Sequence, residues 1–170
     1  MRNNKGFSVI EMMRNDKGFS VIEMMVVVAI LGILAMIAIP SSIGKIVKEQ
    51  VVAAIPLADI AKEPIAATWK AAKTLPVNNE EAGLPVPEKV VSNFVSALEV
   101  KDGVIHMTFG NKAHPQIKGK ILSMRPAVIE ESQVVPIAWV CGNAKAPDKM
   151  TVKGENKTNV SADYLPFVCR

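Results

Sequence analysis

From Phe19 to Pro40 the chain runs for 22 residues with one ionisable side chain, Glu23. A helix over that stretch would span roughly 33 Å, close to the thickness of a bilayer core. The spacing therefore predicts a hydrophobic transmembrane helix over 19–40. A carboxylate inside such a segment costs on the order of 3 kcal/mol on insertion scales, so Glu23 is a candidate functional residue by default. The alternative is an accidental acid near the membrane interface.

The 170 residues suit one domain plus an appendage. Hydrophobic residues make up 49% of the chain but crowd into its first 50 positions, and the remainder has the composition of a soluble domain. Residues 1–18 hold four cations (Arg2, Lys5, Arg14, Lys17) against Glu11 and Asp16, a net of +2 out of the chain's +4. The rest is only weakly basic, which by itself argues for no nucleic-acid partner. The only two cysteines, Cys141 and Cys169, lie near the C-terminus. An even count behind an export-type N-terminus points to a disulfide outside the cytoplasm, with two unpaired thiols as the alternative.

Residues 2–13 recur as residues 14–25 with one change, Asn4 to Asp16. Only the second copy continues into the apolar run. A chain cut after Gly6 would begin with a helix carrying Glu11, Arg14, Asp16, Lys17 and Glu23, too many charges for a bilayer. A cut after Gly18 leaves a clean apolar segment, so residues 1–18 read as a leader whose second copy is the working one. Met13 precedes a complete short basic leader, Arg14-Asn15-Asp16-Lys17-Gly18, and residues 1–12 read as a duplication or start-site artefact. A secretory signal peptide lacks a small-x-small cleavage site here. A plain anchor leaves Glu23, five residues past a Lys-Gly junction, unexplained.

Beyond Pro40 the pattern turns amphipathic. Ile43, Val47, Val51, Ala54, Ala58, Ala61, Ile65, Trp69 and Ala72 recur at intervals of three or four, which predicts a helix over 41–73 with that stripe packed on a head. Ser41-Ser42, Pro56 and Pro64 mark expected kinks, and two helices broken at Pro56 are the alternative. Pro76, Gly83, Pro85 and Pro87 make 74–96 a loop. Residues 97–170 read as an antiparallel sheet of about four strands. Strands at 97–100 and 104–109 flank Asp102-Gly103, a type I′ hairpin signal, and further strands are expected at 120–126 and 136–140. Residues 142–168 look like a loop closed by the cysteines.

Several of these elements together resemble a type IV pilin precursor. They are the basic leader ending in Lys17-Gly18, Phe19 after the junction, Glu23, Gly32 within the apolar helix and Pro40 at its end. Residues 135–142 and the closing Leu165-Pro166-Phe167-Val168-Cys169-Arg170 continue the resemblance. It implies an α+β pilin roll, a long N-terminal helix packed on a four-stranded antiparallel sheet. It also implies that a prepilin peptidase cuts between Gly18 and Phe19 and methylates the Phe19 amine. The subunit would wait as a single-pass protein in the inner membrane. An assembly ATPase and platform would then draw it into an extracellular helical homopolymer serving adhesion, twitching motility or DNA uptake. Glu23 would fix axial register, and the loop bounded by Cys141 and Cys169 would face outward.

No nucleophile–base–acid constellation, phosphate-cradling loop or cofactor motif accompanies these features, so the chain reads as a non-enzyme without cofactor. His106 and His114 lack partners at metal spacing. Lys145, Lys149, Lys153 and Lys157 form a basic loop that could touch DNA, although no aromatic platform interleaves them and a solvated loop is the preferred reading. A DNA-gripping minor or competence pilin and a type II secretion pseudopilin are the alternatives. The paired cysteines favour a pilin over a major pseudopilin. Asn156-Lys157-Thr158 and Asn159-Val160-Ser161 match the N-glycosylation pattern and read as chance matches.

Overall fold

The computed structural model describes residues 18–170 apart from Gln133, with the backbone alone for 38–42. The first leader copy, Met13 and Lys17 lie outside the described residues. Two long helices come first, α1 (Val21–Ala54) and α2 (Asp59–Ala72), joined by a 3-10 turn at Ile55–Ala58. Five strands follow: β1 (Val95–Lys101), β2 (Val104–Phe109), β3 (Ile121–Val128), β4 (Ala138–Cys141) and the two-residue β5 (Thr151–Val152). The chain divides into two compact units, residues 1–40 and 41–170.

The first unit is simple. Every described residue from Gly18 to Ile37 is exposed, including Phe19, Ile22, Leu31 and Ile37. Among the described residues no helix is long and apolar enough to cross a membrane. The span expected over 19–40 runs through 38–40, whose side chains are not described.

In the second unit the helical segment falls between the two expectations for it. Pro56 enters at the start of the 3-10 turn, where the N–H it lacks is not needed. The chain therefore tightens for one turn and resumes as α2, neither one α-helix over 41–73 nor two separated ones. Pro64 is accommodated inside α2, and Thr68 Oγ1 donates to its carbonyl at 3.0 Å. The helix ends where Lys73 turns left-handed (φ 56°) and its N–H donates to Trp69 O at 2.9 Å. Val47, Val51, Ala54, Ala58, Ala61, Ile65 and Trp69 are buried as the stripe requires, whereas Ile43 and Ala72, at its two ends, are exposed.

The sheet is antiparallel in the order β1-β2-β3-β4, with β5 also pairing β3. Asp102 and Gly103 both have positive φ (50° and 77°), the requirement of a type I′ turn. One face carries Leu98, Met107, Leu122 and Met124 into the same core as the helical stripe. The other face carries Val104, His106, Ser123 and Ala127, all buried as well. Its cover is the segment after β5, which places that segment against the sheet and corrects the expectation of a plain loop over 142–168. Lys153 N–H donates to Pro126 O at 2.9 Å and Asn159 N–H to Ile121 O at 3.0 Å. Gly154 (φ +79°) lies so close to Val104 Cγ2 that a Cβ there would collide with it.

The loop over 74–94 is sutured to the edge of β1 by one side chain. Asn79 is 6% exposed; its Nδ2 donates to Leu98 O and Pro85 O, each at 2.9 Å, and its Oδ1 accepts from Val100 N–H at 2.6 Å. The amide thus imitates a neighbouring strand and satisfies an otherwise open edge.

Candidate functional site

The first turn of α1 is built by Ser20-Val21-Ile22-Glu23, an S-x-x-E capping box. Ser20 stands at the N-cap and its N–H donates to Glu23 Oε2 at 2.8 Å. Met24 N–H donates to Ser20 O at 3.1 Å and starts the helical ladder. A carboxylate in the first turn also meets the positive end of the helix dipole. Glu23 thus has a role within its own chain that the reading of it as a lone charge missed. The signal was legible, because serine followed three residues later by glutamate ahead of an apolar run marks a helix start.

Phe19 lies two residues ahead of α1 and four ahead of Glu23 in the sequence, and both are exposed. Gly18 is also exposed, and a Cβ built on it meets nothing within 4 Å. The fold itself therefore places no demand for glycine at that position.

At the other end, Cys141 on β4 and Cys169 are disulfide-bonded across a sequence separation of 28 residues. Asn143 N–H donates to Cys169 O at 3.0 Å, and Gly142 N–H to Ser123 O at 2.8 Å, so the bridge sits on a hydrogen-bonded frame. Phe167 (87% exposed) and Val168 flank it on the surface.

The four lysines are not brought together as one basic face. Lys145 and Lys149 are exposed, Lys157 is half-buried, and Lys153 is ion-paired with Glu130. The hydrogen bond from Lys153, reinforced by its charge, holds the Glu130 carboxyl below the usual carboxylate range. His106 is buried on the sheet, whereas the His114 backbone N–H donates to Gln50 Oε1 at 2.8 Å. Among the described residues no group of three or more histidine, cysteine, aspartate or glutamate side chains is placed to hold a metal ion.

A long N-terminal helix with an exposed apolar face, a four-stranded antiparallel sheet and a disulfide-closed C-terminus define a filament subunit. The chain belongs to the pilin family, a structural and non-enzymatic one: the family model described as pilin (bacterial filament) matches residues 47–170. The prokaryotic N-terminal methylation motif matches residues 13–39, which takes in the second leader copy, Gly18, Phe19 and Glu23. The chain is similar to a fimbrial protein of Neisseria meningitidis, 32% identical over 175 residues, covering 98% of this chain and 94% of the relative. A type IV major pilin protein PilE1 of Neisseria gonorrhoeae is 32% identical over 172 residues, covering 98% and 87%. The fimbrial protein EcpC of Eikenella corrodens is 29% identical over 169 residues, covering 98% and 90%.

Proposed function

We propose that this chain is the major subunit of a type IV pilus, made as a single-pass inner-membrane precursor and activated by a cut between Gly18 and Phe19. The observation that carries the reading is the apolar run of α1, exposed at each described residue through Ile37, with Glu23 in its first turn. Apolar surface on that scale is stable only in lipid or against other copies. Lipid would receive it in the precursor, through residues 19–40, and neighbouring subunits would receive it in the fibre. An assembly platform and ATPase would carry out the transfer.

Cleavage would create an α-amine at Phe19, subsequently methylated. With an ordinary pKa near 8 such an amine is largely protonated at neutral pH. In the dry fibre core the Glu23 carboxylate would meet the amine of a neighbour, and a subunit out of register would leave both charges unpaired at a cost of several kcal/mol. Glycine at position 18 then answers to the peptidase cleft, in keeping with the open space around it. Residues 1–12 are a duplication or a start-site artefact that assembly does not use, a reading supported by the methylation-motif match beginning at residue 13.

Fibres sheared from cells expressing the chain test this reading by electron microscopy and mass spectrometry. The chain should be the dominant fibre component. A chain present only in traces, or only in the membrane fraction, would make it a minor pilin or pseudopilin instead.

A further inference from the structure

On the outer face of the sheet, His106 is 3% exposed and its cross-strand partner Ser123 is fully buried. Ser123 Oγ lies 2.9 Å from His106 Nδ1 and accepts the Lys157 N–H at 3.0 Å. Three more hydrogen bonds hold the same stretch to β3: Ser123 N–H to Thr158 Oγ1 at 3.0 Å, Ile121 N–H to Asn159 Oδ1 at 2.6 Å, and Asn159 N–H to Ile121 O at 3.0 Å. One serine oxygen therefore joins a buried imidazole to the segment that covers it.

We propose that residues 153–159 form an acid-releasable strap over the outer face of the sheet, with His106 as its trigger and the Cys141–Cys169 disulfide as its tether. A hydroxyl has one proton and two lone pairs. With a neutral imidazole in its Nε2–H tautomer, the one the proposal requires, Ser123 donates its proton to Nδ1 and accepts from Lys157. Protonated, Nδ1 becomes a donor, the serine proton must leave that line, and both lone pairs are taken. The site then holds a cation that is out of reach of water and close to another cation on the strap itself.

The charges facing His106 come from both covering elements. Glu99, its direct cross-strand partner, and Lys101 stand on β1, while Lys157 and Glu155 stand on the strap. Arg125 shares its face of β3, with Nη2 donating to Gly142 O at 3.1 Å. Burial is the largest influence and Lys157 the next; together they hold the imidazole below its ordinary value against the opposing pull of Glu99 and Glu155. Because the closed state binds the proton less well than the open state, closure is favoured above about pH 6.5 and weakens as pH falls. Opening stops growing once His106 is protonated in the closed state too. Released residues would uncover Val104 and Ala127 while Cys169 keeps the chain end attached to β4.

Residue-level hydrogen exchange on the detergent-solubilised full chain, corrected for intrinsic rates, tests this between about pH 7.5 and pH 5, above the ordinary carboxylate range. Protection at Lys157, Ser123, Ile121 and Asn159 should fall by up to about tenfold per pH unit below pH 6.5, while Leu98 and Met107 hold theirs. His106→Gln should flatten that dependence. Lys157→Gln, which removes a cation without touching the core, should leave the onset near pH 6.5 but end the loss at a higher pH, so that total protection lost is smaller, and it serves if the first variant does not fold. Strap protection independent of pH, loss in step with Leu98 and Met107, or an undiminished total loss in Lys157→Gln would overturn the proposal.

Discussion

In the segment from Gly18 to Ile37 every described residue is exposed, although nearly all are apolar; from Val47 to Trp69 one apolar stripe of α1 and α2 is buried in a core, with polar residues on the other side. The two stretches share a helix and differ in period. An all-round apolar helix has no inside of its own and must be completed by its surroundings, whereas a striped one finds its inside on the sheet. The head therefore folds as a unit, and the N-terminal segment is a unit only in company. This division of labour suits a subunit that exchanges one apolar environment for another while its head stays folded.

Substitutions that strike one region and spare the other put that contrast to the test. The largest effect is expected from Glu23→Ala, which should cut surface fibres by more than tenfold, about what one mispaired buried charge would cause, and leave head stability unchanged. Glu23→Gln separates the two roles of this residue. Glutamine can still accept the Ser20 N–H at the capping position but cannot pair with an amine, so equal fibre loss in both variants isolates the charge. Fibre counts by electron microscopy and thermal unfolding of the same preparations read both quantities.

In the head the order reverses, with stability falling first. Replacing Cys141 and Cys169 together by serine should cost about 3.5 kcal/mol in denaturant unfolding, the chain-entropy value for a loop of this size. Asn79→Ala should cost about 2 kcal/mol by the same assay, because it strands the Val100 N–H and the Leu98 carbonyl at a buried edge. Lys62→Ala should change stability by less than about 0.5 kcal/mol, since its 2.7 Å pair with Asp59 is a surface bridge. A large effect from Lys62→Ala, or none from Asn79→Ala, would mean that the head is held by something other than its core and sutured edge.

The contrast itself was legible in the sequence, because periodicity reports where apolar residues point. The stripe from Val47 to Trp69, the Asp102-Gly103 hairpin and the approximate places of four strands follow from spacing and turn chemistry. The positions of Glu23 and Gly18 also stood out, one as the single charge in an apolar run and the other as the glycine that closes the basic leader. Less was legible where one residue acts through the backbone of a distant one. Asn79 looks like any loop asparagine until Val100 and Leu98 are folded beside it. Lys153 to Asn159 carry polar side chains in no period, so nothing local announced that their backbone would cover a second sheet face. His106 stood in an expected strand, but its burial depended on that cover.

If the chain becomes a fibre subunit through the cut that frees Phe19, the intact mass and N-terminal sequence of the subunit in sheared fibres must carry the mark of that cut. That subunit should begin at Phe19, be one methyl group heavier than its sequence, and hold Cys141 and Cys169 joined. A fibre subunit that begins at Phe7, or that keeps residues 14–18, would contradict it.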